Sequence, residues 1–160
     1  MTVKEYQSPC GTLTLGAEGD FIVMCRWGGA GTEEGDSAVI EEAIRQLDAY
    51  FSGSLKVFDL PLRFLGTDFQ KEVWQALCDI PCGQTVSYSA VARRLGRPSA
   101  VRAVANAVGK NPINIICPCH RVIGSDGSLT GYAGGLEAKK MLLELETELL
   151  GGFDGEGVGA

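Results

Sequence analysis

Apolar and polar residues alternate along the first 27 positions with the period of two that marks strands. Thr12-Leu-Thr-Leu-Gly-Ala17 and Phe21-Ile-Val-Met-Cys-Arg-Trp27 flank Glu18-Gly-Asp20, a turn signal, so the two runs predict a hairpin. Gly28–Gly35 reads as a loop. From Ala38 to Phe51 the period becomes helical, with apolar residues at 39, 40, 43, 44, 47 and 50 on one stripe. Residues 52–66 are irregular and contain Pro61. A lobe boundary near Leu65 divides the chain into residues 1–65 and 66–150.

The second lobe opens on Thr67-Asp-Phe-Gln70, a capping box for a helix over Asp68–Cys78 with Phe69, Val73, Trp74 and Leu77 on one face. Ile80-Pro-Cys-Gly-Gln84 is a turn. Ser87 is placed to cap a short helix, Tyr88–Leu95, and Ser99 to cap a second, Ala100–Val108; Gly96 and Gly109 stop them. Two short helices joined by Gly96-Arg-Pro-Ser99 match a helix-turn-helix, with Arg102 in the first turn of the second helix, where a recognition helix meets DNA. Pro112 bars further helix, and Ile113–Cys117 reads as a short buried segment. A last helix is predicted over Leu136–Leu150. The Gly-rich, acidic tail 151–160 is expected to be disordered.

With 160 residues, 45% of them hydrophobic, the chain can build a core in one unit or two small lobes. Its apolar runs are too short to span a bilayer, and Met1-Thr-Val-Lys-Glu-Tyr6 is no signal peptide. A cytoplasmic protein is the expectation. Six cysteines at irregular spacing are expected to stay reduced, with Cys10, Cys25 and Cys78 as small packing residues. A net charge of -6 argues at first against a polyanionic partner. The distribution reverses that argument. Residues 1–79 hold 6 Lys/Arg against 13 Asp/Glu, and residues 126–160 hold 2 against 7. The window Ile80–Ser125 between them carries Arg93, Arg94, Arg97, Arg102, Lys110 and Arg121 and no acid, the footprint of a local face for a polyanion.

The single histidine, His120, follows Cys119. Cysteine chemistry needs thiolate, and a nearby imidazole can take the thiol proton directly or through water. Neighbours in an extended segment point to opposite sides, so a bridging water suits this spacing. By itself the dipeptide also fits an inert buried thiol beside a surface imidazole. A histidine base works better with a third group to hold its tautomer. On the last helix Glu146 falls within the stripe of Leu142, Leu145 and Leu149, while Glu144 and Glu148 point elsewhere. A carboxylate there needs a partner or must reach out to water. A zinc site would have to recruit Cys78 and Cys82 to Cys117 and Cys119, and none is expected. A cysteine protease would draw its Cys and His from distant positions.

Arg102-Ala-Val-Ala-Asn-Ala-Val-Gly-Lys-Asn-Pro112, Pro118-Cys-His-Arg-Val122 and Gly131-Tyr-Ala-Gly-Gly135, in this order, resemble the methylated-DNA–protein-cysteine methyltransferases, or O6-alkylguanine-DNA alkyltransferases. The likeness is close from Thr67 to Glu146 and looser over residues 1–65. It implies an α+β fold: a small ribonuclease H-like α/β lobe, then a helical lobe with a winged helix-turn-helix. It implies a protein that approaches double-stranded DNA from the minor groove, flips an O6-alkylguanine and transfers the alkyl group to Cys119 once, without cofactor or metal; a monomer is expected, because nothing in the sequence demands an oligomer. O4-alkylthymine is a second candidate lesion. His120 and Glu146 would activate Cys119 through a water relay, and Asn111 would brace its turn. Arg102 would fill the gap left by the flipped base, and Tyr88 would press the target phosphate. Ser87, Ser99 and Arg121 would contact DNA. Tyr132 would bond the base at N3 and help protonate it. The Val122 carbonyl would read the exocyclic amine and the Ala133 amide would meet O6, with Val108, Gly134 and Gly135 completing the pocket.

Two departures from the family pattern bear on that pocket: Ala133 replaces a frequent serine, and Val108 stands where some members carry a larger side chain. The zinc-binding histidines of some animal members and the metal-binding N-terminal domain of the adaptive-response regulators have no counterpart. A non-catalytic helix-turn-helix protein that senses alkylated DNA or regulates genes is the rival reading. It would share the basic window but would not need Cys119.

Overall fold

The computed structural model describes residues 1–29 and 35–154, the last six as helix backbone only. The alternating N-terminal residues form three antiparallel strands, β1 (Thr2–Ser8), β2 (Gly11–Glu18) and β3 (Phe21–Trp27), in that spatial order. The predicted hairpin is β2–β3, with a register shift at Gly16/Ala17. Helix α1 (Ala38–Phe51) packs on this sheet and matches the predicted span. Ser37 caps it, accepting from the Ile40 amide, and the stripe buries Ile40, Ala43, Leu47 and Tyr50. Of the predicted loop 28–35, residues 30–34 lie outside the described residues.

The outer edge of β3 is not left open. Ile22 donates to the Pro61 carbonyl at 2.9 Å and accepts from the Arg63 amide at 3.0 Å. Further along, Cys25 donates to Pro112 at 2.9 Å and accepts from the Asn114 amide at 2.8 Å. The segment leading to Cys119 therefore lies against the N-terminal sheet as a short parallel extension.

Helix α2 (Asp68–Cys78) also has its predicted bounds, and its capping box is complete: Thr67 Oγ1 accepts from Gln70 N, and Gln70 Oε1 from Thr67 N. Trp74 of α2 donates its indole N–H to the Ala107 carbonyl at 2.9 Å. Helix α3 (Tyr88–Arg94) is capped by Ser87 as expected. Helix α4 (Val101–Gly109) departs from expectation: its N-cap is Ala100, with no side-chain cap, and Ser99 is exposed. The reason is local. Ala100 N is already bonded to Arg97 O at 2.9 Å, so a tight 97–100 turn fills the linker and the helix starts one residue late. Helices α3 and α4 pack on each other. A two-residue parallel pair, β4 (Val86–Ser87) with β5 (Val122–Ile123), joins the start of α3 to the end of the Cys119 segment.

Helix α5 runs Leu136–Asp154, past its predicted end at Leu150. Residues 151–154 of the expected disordered tail are thus helical, and 155–160 lie outside the described residues, as do the side chains of Leu149 and Leu150. One hydrophobic cluster runs from Leu13 and Leu47 through Ile113 and Trp74 to Val104 and Leu142, so both halves of the chain share a core. Cys25 is buried and Cys10 half-buried, but Cys78, expected to pack, is exposed. No described helix is long and apolar enough to cross a membrane.

Candidate active site

Pro112 ends what α4 began, and the chain then makes two very tight turns. Asn111 braces them: its Oδ1 accepts from Ile113 N at 3.0 Å and its Nδ2 donates to the Cys117 carbonyl at 2.9 Å. Ile115 has φ of 69°, unusual for a β-branched residue, at the centre of a turn closed by Ile116 N to Asn114 O at 2.7 Å. Pro118, at φ -80° and ψ 65°, centres an inverse γ-turn closed by Cys119 N to Cys117 O at 2.8 Å. Strain of this kind persists where surrounding structure enforces it. Cys119–Arg121 then forms a 3-10 turn rather than the extended segment expected, which turns Cys119, His120 and Arg121 all inward.

His120 and Glu146 are both fully buried and meet at 2.7 Å through His120 Nε2. Glu146 is the hub of the site. Its Oε2 also accepts from Tyr50 Oη at 2.6 Å and from Arg121 Nη2 at 2.9 Å; its Oε1 accepts from Arg121 Nε at 2.9 Å and the Gly83 amide at 3.5 Å. Burial pushes the Glu146 carboxyl up, but bonds from His120 and Arg121 outweigh it and hold the group well below the usual carboxylate range. Burial lowers His120, against the opposing pull of Glu146. An anionic Glu146 accepts, so His120 Nε2 carries the proton and Nδ1 is left as the base. Nδ1 is buried without a hydrogen-bond partner among the described residues. No hydrogen bond joins it to the Cys119 thiol among them. Burial pushes that thiol up to about 11, opposed by the Asn111 amide and by Lys139.

Cys119 opens onto a cavity of about 430 Å³, the scale of small-ligand pockets, lined also by Tyr88, Val108, Asn114, Thr130, Tyr132 and Ala133. The Tyr88 hydroxyl bonds Thr130 Oγ1 at 3.1 Å. Tyr132 lies edge-on to Trp27, and its hydroxyl is buried with no partner among the described residues. Three residues expected in the pocket do not line it. Val122 is buried, and its carbonyl accepts from Lys139 Nζ at 2.8 Å. Gly134 packs beneath Trp27, where a Cβ would come within 2.6 Å of the ring, and Gly135 takes φ of 91° to start α5. Tyr50, Asn114, Lys139 and Trp27 were not foreseen. Lys139 had a signal: with Leu142 and Glu146 it shares one spacing of three and four along α5.

Comparison with known proteins decides what this site belongs to. Residues 68–148 match the family model described as 6-O-methylguanine DNA methyltransferase, DNA binding domain, and residues 1–64 match that for its ribonuclease-like domain. The chain belongs to this family. A methylated-DNA–protein-cysteine methyltransferase of Methanosarcina barkeri is 63% identical over 105 residues, 66% of each chain. One from Mycobacterium tuberculosis is 48% identical over 149 residues, covering 89% of this chain and 90% of that protein. The crystal structure of Mycobacterium tuberculosis OGT in complex with DNA superposes with a TM-score of 0.85 at 46% identity, over 92% of this chain and 93% of that one.

In this 6-O-methylguanine DNA methyltransferase family member the basic side chains of the acid-free window are exposed, with one exception. Arg93, Arg94, Arg97, Arg102 and Lys110 all face solvent, Arg102 from the first turn of α4. Arg97 is partly neutralised by Glu72 at 3.4 Å and lies over the Phe69 ring. Arg121 is the exception and corrects the expectation of a DNA contact. Only 5% exposed, it spends its guanidinium on Glu146 and the Ile80 carbonyl.

Proposed function

We propose that the protein repairs alkylated DNA by moving the alkyl group, typically methyl, from guanine O6 to its own Cys119 in a single irreversible event. The observation that carries this reading is Cys119 at the wall of a pocket with a buried His120–Glu146 pair beside it. His120 Nδ1 takes the thiol proton through a bridging water, and Glu146 stabilises the imidazolium. The thiolate attacks the alkyl carbon; the S–C bond forms, the C–O6 bond breaks, and the guanine leaves with a proton in place of its alkyl group. Tyr132, in the pocket lining, bonds the base at N3 and helps protonate the leaving guanine. The thioether cannot be reversed by thiol exchange, so the molecule acts once, and the chemistry calls for no cofactor or metal.

The alkyl carbon is inaccessible inside a duplex, so the base is flipped out at a cost of a few kcal/mol. Helices α3 and α4 serve as the helix-turn-helix, with β4–β5 at its flank as the wing, and approach from the minor groove. Exposed Arg102 fills the gap, Tyr88 presses the phosphate, and Ser87 and Ser99 lie at the backbone. The Ala133 amide meets O6. The first lobe, residues 1–65, takes the ribonuclease H-like role, residues 66–150 the alkyl-transfer role, in a cytoplasmic monomer; O4-alkylthymine is a second lesion to assay. The test is intact mass after incubation with duplex DNA containing O6-methylguanine. One added methyl group is expected, and none with Cys119→Ala. No gain in folded wild-type protein overturns the proposal and favours a lesion-binding protein.

A further inference from the structure

Two asparagine amides flank the Cys119 sulfur, and they present opposite ends to it. Asn111 presents its N–H edge, which favours thiolate. Asn114 presents a carbonyl: the Cys119 thiol donates to Asn114 Oδ1 at 3.5 Å. That orientation is fixed rather than free. Asn114 is 3% exposed, and its Nδ2 donates to the Cys25 carbonyl on β3 at 3.0 Å, beside the backbone bond from Asn114 N to the same oxygen. With the N–H edge committed to the sheet, only the oxygen can face the sulfur. The left-handed Ile115 turn, closed on the Asn114 carbonyl, locks the residue from the other side.

A carbonyl oxygen accepts from S–H and repels S⁻, so it favours the protonated nucleophile. We propose that Asn114 is a positioning residue that holds the resting Cys119 as an aimed but protonated thiol, guarding a single-use nucleophile against stray electrophiles. The other groups that face Cys119 are Lys139 from α5, Tyr132 from the loop before it, Cys25 on β3 and Cys117 in its own segment. Among all of these, Asn114 is the residue whose hydrogen bond holds the proton on sulfur. The proposal rests on Cys119 being the alkyl acceptor.

The test is the rate at which iodoacetamide modifies Cys119 as a function of pH, followed on the Cys119 peptide by mass spectrometry. Asn114→Ala should move the midpoint to lower pH and speed modification at neutral pH about fivefold, the worth of one ordinary hydrogen bond. Asn114→Asp should move the midpoint up and slow modification. A merely structural role would not shift the midpoint in opposite directions, and unchanged or parallel shifts overturn the proposal. A second measurement needs no Asn114 variant. The S–H stretching band of Cys119, isolated by infrared difference against Cys119→Ser, should lie at a hydrogen-bonded frequency; a free-thiol band overturns the proposal. Methyl gain from O6-methylguanine DNA, run on the same wild-type protein, tests the repair reading separately.

Discussion

Replacing Glu146 with glutamine changes one atom and should disable the site in two measurable ways. Five donors converge on this carboxylate: Tyr50 Oη, His120 Nε2, two guanidinium nitrogens of Arg121 and the Gly83 amide. Glutamine keeps one acceptor oxygen. Placed toward Tyr50 and His120, it turns its NH₂ against Arg121 Nε, donor to donor, with Arg121 buried and uncompensated. Removing one partner of a buried ion pair costs about 3–5 kcal/mol, a large part of a typical stability of about 5–15 kcal/mol. The chemical cost is separate. An imidazolium near a carboxylate about 4 Å away gains roughly 4 kcal/mol at an effective dielectric of about 20. Part of that is already offset by Arg121, so Glu146→Gln should slow alkyl transfer about 10²- to 10³-fold. The assay is single-turnover methyl transfer from duplex DNA at low temperature, with the folded fraction set by urea titration. A folded variant that transfers within about threefold of wild type would refute the role of the His120–Glu146 pair.

Arg102→Ala should slow transfer from duplex DNA much more than transfer from free O6-methylguanine; equal slowing on both would remove the gap-filling role. Arg121→Met should cost about 3–5 kcal/mol in urea denaturation while leaving the salt dependence of DNA binding unchanged; a salt slope smaller by about one would restore Arg121 as a phosphate contact. Gly134→Ala should destabilise by about 1–3 kcal/mol, because the new methyl meets the Trp27 ring; a fully stable variant would mean the loop shifts freely. Glu146 is held below its ordinary pKa in the folded state, so the stability it provides is present above about pH 4.5 and is lost as pH falls toward its folded value. In a pH series of urea midpoints, Glu146→Gln should flatten that acid limb; an unaltered limb counts against the network.

What the sequence made legible is what is encoded locally. The spans of α1 and α2 follow from one stripe and one capping box, each complete within a few residues. Glu146 could be singled out because an acid on an apolar stripe demands a partner. The failures are of two kinds. Ser99 lost its capping role because the 97–100 turn, closed by Ala100 N to Arg97 O, holds it inside the turn and moves the helix start to Ala100. Tyr50 and Asn114 act through partners 96 and 89 positions away, separations at which no periodicity speaks. Arg121 was read from composition as part of a basic face, and composition is blind to direction: a 3-10 turn aims it inward.

The edge of β3 carries one more consequence. An antiparallel sheet with an open flank is a template on which another chain can add a strand, the usual route to aggregation. Here that flank is capped by residues 61–63 and 112–114, the second of which leads straight to the nucleophile. The stretch that aims the chemistry thus also closes one of the sheet's two edges. Edge protection and reactivity share the same few backbone bonds, and a substitution that loosens Asn114 or Cys25 disturbs both together.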